Sequence, residues 1–259
     1  MSVASRWTER LSHRLAMHVP AAPFRMRRGP PMVSFTFDDV PASAGGAGAA
    51  LLEEAGARGT YYVASGLLGG TDPSWPPIDP DRLPALHRAG HEIGLHTHSH
   101  ASFAGLDGDA VAGELRDNRA ALAALAPGAR LDNFAYPYGV ASLAGKARLR
   151  GLVRSSRGIA PGVNHGRIDL HFLRAVPLYD RSIDRAGVER WLDEALSRDG
   201  WLIFLTHDVQ PRPSPFGCSP GLLAAAIAAA GRRGIACVTV AAALDRIGFT
   251  MPADTALHP

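Results

Sequence analysis

Lysine is all but missing from this chain: Lys146 is the only one, and arginine carries the rest of the positive charge. With alanine, glycine and proline abundant as well, this reads as a G+C-rich coding background rather than a basic patch, and no nucleic-acid partner is expected. A formal net charge of +3 adds only mild attraction to anions. Cysteine is equally scarce. Cys218 and Cys237 are too few for a disulfide scaffold, and no bridge between them is expected. Cys237, in the apolar run Ile235-Ala236-Cys237-Val238, reads as a core residue, whereas Cys218 sits in a Pro/Gly-rich loop. No apolar stretch is long enough to span a membrane. Residues 1–31 lack the apolar segment of a secretory signal, which sets the expectation of a cytoplasmic protein.

Apolar residues, by contrast, make up 46% of the 259 positions, enough for the core of one large α/β domain. Residues 1–31 read as a basic N-terminal extension, 32–250 as the catalytic domain and 251–259 as a tail. In the extension Val3, Trp7, Leu11 and Leu15 recur every four residues opposite Arg6, Arg10 and Arg14. That stripe predicts a helix packed on the outside of the domain; the alternative is peripheral membrane contact through residues 3–19. Beyond Pro30-Pro31, short apolar runs alternate with helix-like stretches. Strands are expected near 32–37, 60–64, 92–95, 131–136, 152–155, 172–178, 201–206 and 235–240. Helices are expected near 44–56, 79–89, 109–126, 141–150, 185–199 and 220–233. Such alternation implies parallel strands joined by helical crossovers, and seven or eight such units suit a barrel better than an open sheet.

Barrel enzymes place their chemistry at the carboxyl ends of the strands. Four polar clusters fall there: Asp38-Asp39, His96-Thr97-His98-Ser99-His100, Tyr136-Pro137-Tyr138-Gly139 and Thr206-His207-Asp208. Two imidazoles spaced four apart and one carboxylate form a sufficient ligand set for a divalent metal with open positions. Asp39, His96 and His100 are the expected ligands. Zinc is the first expectation, with cobalt, nickel or manganese as substitutes. His98, between two ligands, should point away. Asp38 is then free to act as general base, or else orients a ligand histidine. His207 ends a very apolar run and should emerge at the rim, where it can protonate a leaving nitrogen. In the Tyr136–Gly139 loop a backbone N–H can serve an oxyanion and the rings can stack on a sugar, although a plain turn fits equally well. Trp75-Pro76-Pro77 and the 211–220 loop, with Phe216 and Cys218, are expected to line the pocket.

Together these motifs resemble the polysaccharide deacetylase family, carbohydrate esterase family 4 with its NodB-homology domain. The resemblance rests on Thr36-Phe37-Asp38-Asp39, His96-Thr97-x-x-His100, Tyr136-Pro137-Tyr138-Gly139 and Leu205-Thr206-His207, and covers roughly residues 32–245. It implies a distorted (β/α)7 barrel in a single domain. It also implies Asp38 as base, Asp39, His96 and His100 as metal ligands, and His207 as acid. The backbone N–H of Tyr138 matches the oxyanion donor, and Leu205 the wall of the acetyl pocket. Two departures stand out. The arginine that opens the family's third motif is Ala135 here, and Arg174 is the expected substitute. The fourth motif is not recognisable, since Asp169, Asp180 and Asp184 lack the following aromatic.

The expected activity is hydrolysis of an N-acetyl group on an amino sugar in an oligosaccharide, polysaccharide or lipid-linked sugar. Alternatives on the same fold are a deformylase, an O-acetyl esterase and a cyclic amidase. From other classes come a non-haem Fe(II) oxygenase, which also uses two histidines and a carboxylate, and a carbohydrate-binding module without catalysis.

Overall fold

A computed structural model describes residues 12–70 and 75–251. Its centre is β2 (Met32–Asp38), a strand with all seven residues buried. Burial on both sides is the rule for parallel sheets flanked by helices, and it explains why the run is apolar almost throughout. Alternation still sorts its side chains. Val33, Phe35 and Phe37 join the core beneath the surrounding helices, whereas Met32 belongs to a second cluster inside the curl of the sheet. β9 (Trp201–Thr206) does the same, with Leu202 and Phe204 outside and Trp201, Ile203 and Leu205 inside.

The remaining strands of the main sheet are β3 (Thr60–Val63), β4 (Glu92–Leu95), β5 (Asn133–Ala135), β6 (Ser155–Arg157) and β8 (Val176–Pro177). They run in the order β6-β5-β4-β3-β2-β9-β8, every neighbouring pair parallel, and β10 (Ala236–Cys237) pairs with the start of β2. Crossovers are made by α2 (Ala49–Glu54), α3 (Arg82–Arg88), α4 (Gly108–Leu125), α5 (Leu143–Arg148), α6 (Arg185–Ser197) and α7 (Pro220–Arg232). The expected α/β class and single-domain barrel are found in distorted form. The sheet curls into a half-barrel in which β6 and β8 do not pair, and only an isolated bridge, Arg157 to Leu173, spans the gap. Two expected elements change character. The strand expected at 172–178 shrinks to β8, and the one at 235–240 shrinks to β10, after which α8 (Val240–Arg246) begins, capped by Thr239.

α8 closes the amino-terminal end of the barrel, and its first N–H groups meet a buried polar network. Val240 N–H donates to Thr60 Oγ1 at 3.0 Å and Ala241 N–H to Glu92 Oε2 at 2.8 Å. Glu92 also accepts from Thr60 Oγ1 at 2.9 Å and from Asn133 Nδ2 at 2.6 Å. Burial pushes its carboxyl pKa up, against the pull of these donors.

Residues ahead of β2 are fastened to the barrel. The helical segment α1 (12–18) buries Ala16, and β1 (Pro23–Arg25) pairs antiparallel with β7 (Arg167–Asp169). Lys146 is the staple: its buried Nζ donates to Ala16 O at 2.6 Å and Val19 O at 2.8 Å, and lies 2.5 Å from Asp169 Oδ2. A cation on the last carbonyls of a helix is favourably placed. Of the expected stripe, Leu15 faces outward at 43% exposure, so the docked face is that of His13, Ala16 and Met17. Val3, Trp7 and Leu11 lie outside the described residues, as does the tail from 252 onward. Among the described residues no helix is long and apolar enough to cross a membrane.

Candidate metal centre and active site

At the carboxyl end of β2 the backbone turns left-handed: φ is 57° at Asp39 and 47° at Val40. For non-glycine residues, and above all for a β-branched valine, this region costs about 1–2 kcal/mol each. The strained turn sits at the rim of the barrel, beside His96 and His100. Similar strain recurs after β4, with Thr97 at φ 61° and His100 at φ 58°. The histidines therefore converge through a left-handed loop and not through a turn of helix. Strain concentrated in this way is tolerated where the surroundings over-determine it, and functional sites are where it clusters.

α4 supplies that over-determination. Asn118 accepts from His96 N–H at 3.0 Å and donates to Val63 O at 3.0 Å, and four residues earlier Glu114 accepts from the N–H groups of His98 and Ser99 at 2.8 Å each. His98 turns aside to Ser65, Nδ1 to Oγ 2.9 Å.

The result is a compact donor set. One ligand atom each from Asp39, His96 and His100 lies within 4.8 Å of the others. Asp39 Oδ1 is 3.3 Å from His96 Nε2 and 3.1 Å from His100 Nε2. These approaches lack hydrogen-bond geometry, and both Asp39 Oδ1 and His100 Nε2 are buried without a hydrogen-bond partner among the described residues. Leaving such atoms unsatisfied is costly unless something else completes them. The tautomer of His96 fits a cation too: its Nδ1 lies 2.8 Å from Ala135 O, which can only accept, so Nδ1 carries the hydrogen and Nε2 keeps its lone pair. Burial would raise the Asp39 carboxyl, but His100 and His96 outweigh it and hold the group far below the usual carboxylate range. Burial likewise opposes the charged form of His96, and Asp39 and Asp38 together raise its pKa despite that. A divalent cation is what this donor chemistry fits.

Asp38 is buried beside the cluster, and its Oδ1 takes a hydrogen bond from Nη2 of the fully buried Arg157 at the end of β6. The guanidinium also lies 5.2 Å from the Tyr62 ring and donates to Gly158 O at 3.2 Å. His207 faces the cluster from the other wall, Nε2 3.8 Å from Asp39 Oδ2, with Nδ1 3.1 Å from Phe216 O. The carbonyl can only accept, so Nδ1 carries a hydrogen and Nε2 is presented to the cavity. Asp208 does not touch His207. It is fully buried and pins the 208–218 loop through Ser214 N at 2.8 Å and Gln210 Nε2 at 2.8 Å. Tyr138 is 65% exposed with φ 57°, its ring centroid 4.6 Å from that of His100, and its N–H has no backbone partner among the described residues. A cavity of about 730 Å³ opens over these groups, walled by Trp75, Ile159, Tyr179 and Phe216 among others.

The polysaccharide deacetylase family model matches residues 25–150, from β1 through α5. Similar solved structures include a T48 deacetylase with substrate, 20% identical over 86% of this chain and 94% of that one, TM-score 0.60. Another is a family 4 acetyl xylan esterase from Clostridium thermocellum in complex with a cobalt ion, 23% identical over 85% and 93%, TM-score 0.60. A third is a family 4 pseudoenzyme from Bacillus anthracis, 12% identical over 88% and 70%, TM-score 0.59. Fold and motif block alike are those of the polysaccharide deacetylase family. At these identities the solved structures establish the architecture alone, and no curated protein matches by sequence.

Set against the polysaccharide deacetylase motifs, the structure corrects several expectations. The cation on Asp38 is Arg157, not Arg174. The Arg174 side chain is exposed, donates to Pro161 O at 3.2 Å and lines a different cavity. Tyr136 is no sugar platform: it is fully buried among Phe103, Phe134 and Phe172, and its hydroxyl donates to His171 O at 2.8 Å. Leu205 is buried in the barrel interior and is not among the side chains lining the main cavity. Gly139, at φ 67°, makes room for Ile159 rather than for a ligand, since a Cβ there would sit 2.5 Å from Ile159 Cγ1. Of the three fourth-motif candidates, Asp169 pairs with Lys146, Asp180 accepts from Ser219 N–H and Asp184 caps α6. Trp75 and Phe216 line the cavity as expected, while Cys218 is buried; both cysteines are free thiols.

Proposed function

We propose that this chain is a metal-dependent hydrolase that removes an N-acetyl group from an amino sugar. The observation that carries the reading is the convergence of Asp39, His96 and His100 on one point, with Asp38 and His207 on either side of it. Zinc, or cobalt, nickel or manganese in its place, suits two imidazoles and a carboxylate. When bound, the cation supplies Lewis-acid polarisation of the acyl carbonyl and acidifies water.

This chain's own residues do the rest. Asp38, held in place by Arg157, takes the proton of the attacking water. The N–H of Tyr138 donates to the carbonyl oxygen as it gains charge; such a donor is typically worth about 100- to 1,000-fold in turnover. His207 acts as the imidazolium, with a hydrogen on both ring nitrogens: Nε2–H passes its proton to the departing amine, while Nδ1–H donates to the Phe216 carbonyl and keeps Nε2 aimed at the cavity. The aromatic walls at Trp75, Tyr179 and Phe216 offer faces for a pyranose ring.

The test is direct. Metal-loaded protein is incubated with N-acetyl and N-formyl amino sugars as monosaccharides and oligosaccharides, and released acetate, formate and free amine are measured. Acetate release that disappears in Asp38→Asn supports the assignment. Formate release alone moves the acyl group, and no release from any substrate at full metal content overturns the hydrolase reading in favour of a non-catalytic one; one similar structure is of a pseudoenzyme.

A further inference from the structure

The cavity over the donor cluster carries a cation that the proposed chemistry does not use. Arg181, in the loop between β8 and α6, lines it beside Tyr179 and Phe216. Its guanidinium lies 4.9 Å from the Phe216 ring centroid and 5.9 Å from that of Tyr179. The two rings stand edge to face at 85°, so the guanidinium sits over Phe216 with Tyr179 beside it, and its N–H donors have no hydrogen-bond partner among the described residues. None of the Arg/Lys ion pairs among the described residues includes Arg181. Of the nearby carboxylates, Asp38 pairs with Arg157 and Asp39 belongs to the metal donor set, within 3.3 Å of both imidazoles.

Position adds a second argument. A further cavity of about 550 Å³ adjoins the first, shares Pro177, Arg181 and Ser182 with it, and runs on to Arg190 and Trp191. Asp180 and Asp184 also line it, each with Oδ1 engaged, by the N–H and hydroxyl of Ser219 and by Gly187 N–H in the first turn of α6, and Arg190 joins Arg181 on the basic side. Arg181 therefore stands at the neck between the space over the donor cluster and a second space large enough for another unit of substrate. A neutral sugar needs no stacked guanidinium there. An anionic oxygen group does, because a planar fork meets phosphate or carboxylate with paired, charge-assisted hydrogen bonds.

We propose that the substrate carries an anionic group, a phosphate ester or a carboxylate, next to the amide-bearing sugar, and that Arg181 selects for it. The inference rests on the hydrolase reading and sharpens it from amino sugars in general to anionic ones. The test uses three probes on metal-loaded protein: N-acetylglucosamine 1-phosphate, an N-acetylglucosaminyl disaccharide bearing a uronic acid, and the matching neutral disaccharide. Turnover is followed by acetate release, and binding of each probe is measured separately by calorimetry.

The native protein should favour at least one anionic probe over the neutral one by roughly 10- to 100-fold, in the range of hydrogen bonds to charged groups. Arg181→Ala should bring that ratio close to one, and Arg181→Lys, which keeps the charge but loses the fork, should retain part of it. Preference for one anion alone names the group. A native protein without preference, or an Arg181→Ala variant that keeps it, overturns the inference. The two readings fail separately: acetate release without anion preference leaves the hydrolase and removes the role of Arg181. Anion-selective binding that depends on Arg181, without any acyl release, does the reverse.

Discussion

Both ends of the half-barrel bury carboxylates, and they treat them in opposite ways. At the amino end Glu92 has a donor for every oxygen, from Thr60, Asn133 and the N-terminus of α8, and no cation within the network. The chain around it is relaxed. At the carboxyl end Asp39 Oδ1 has no hydrogen-bond donor among the described residues, and the backbone holds Asp39, Val40, Thr97, His100 and Tyr138 in left-handed conformations. The first arrangement closes on itself and serves the fold. The second is incomplete within the protein, and what completes it is a ligand. Burial alone thus says little about whether an acidic residue is functional; the partners left over say much more.

The contrast is sharpest for the residues that the reaction would use. Asp38→Asn and His207→Ala should each cut turnover on a true substrate by about 100- to 10,000-fold while metal content stays near native. Near-native turnover in either variant would remove its role. Arg157→Ala ranks next. It strands the buried Asp38 carboxylate, which should cost about 3–5 kcal/mol of stability in urea unfolding. Adding Asp38→Asn should recover part of that loss, and strict additivity of the two changes would contradict a direct pair.

The smallest effect belongs to the floor. Because the folded-state pKa of Glu92 is raised, folding favours its protonated form, and stability is lost as pH rises from the ordinary glutamate value through the raised one. Glu92→Gln should be within about 1 kcal/mol of native near the bottom of that window, since the amide oxygen can accept from Thr60 and Ala241 and the amide NH2 can donate to Asn133 once that side chain turns its Oδ1 inward and its Nδ2 toward Ser155. The gap between variant and native should then shift in favour of the variant as pH rises. A gap that stays constant across the window would show that Glu92 does not titrate as described.

How much of this was legible beforehand depended on whether a functional side chain follows an apolar run. Asp38 and Asp39 end β2, His96 follows β4 and His207 follows β9, so hydrophobicity alone marked their positions. Arg157 was invisible by that criterion. It ends Ser155-Ser156-Arg157, a strand without one apolar side chain, buried only because Ser155 bonds Asn133 and Arg157 bonds Asp38. The apolar run nearby ends too early, which is why the strand was expected at 152–155. Asn118 did leave a signal: it occupies the same spacing as Val111, Leu115 and Leu122 on the buried stripe of α4, where a polar residue needs a purpose. Tyr136 misled for the converse reason, since a motif rich in aromatics does not say which ring faces out. Its neighbour Tyr138 does, because a left-handed residue two places on reverses the chain.

The account stands on one site, so the most telling measurement is metal stoichiometry. Purified protein, stripped with a chelator and titrated with zinc or cobalt, should bind one cation per chain. Asp39→Asn, His96→Ala and His100→Ala should each abolish tight binding with the fold intact by circular dichroism, while His98→Ala binds as the native protein does. Binding that survives loss of any one of the three ligands, or a folded native chain that takes up no cation, would contradict the metal centre and the hydrolysis built on it.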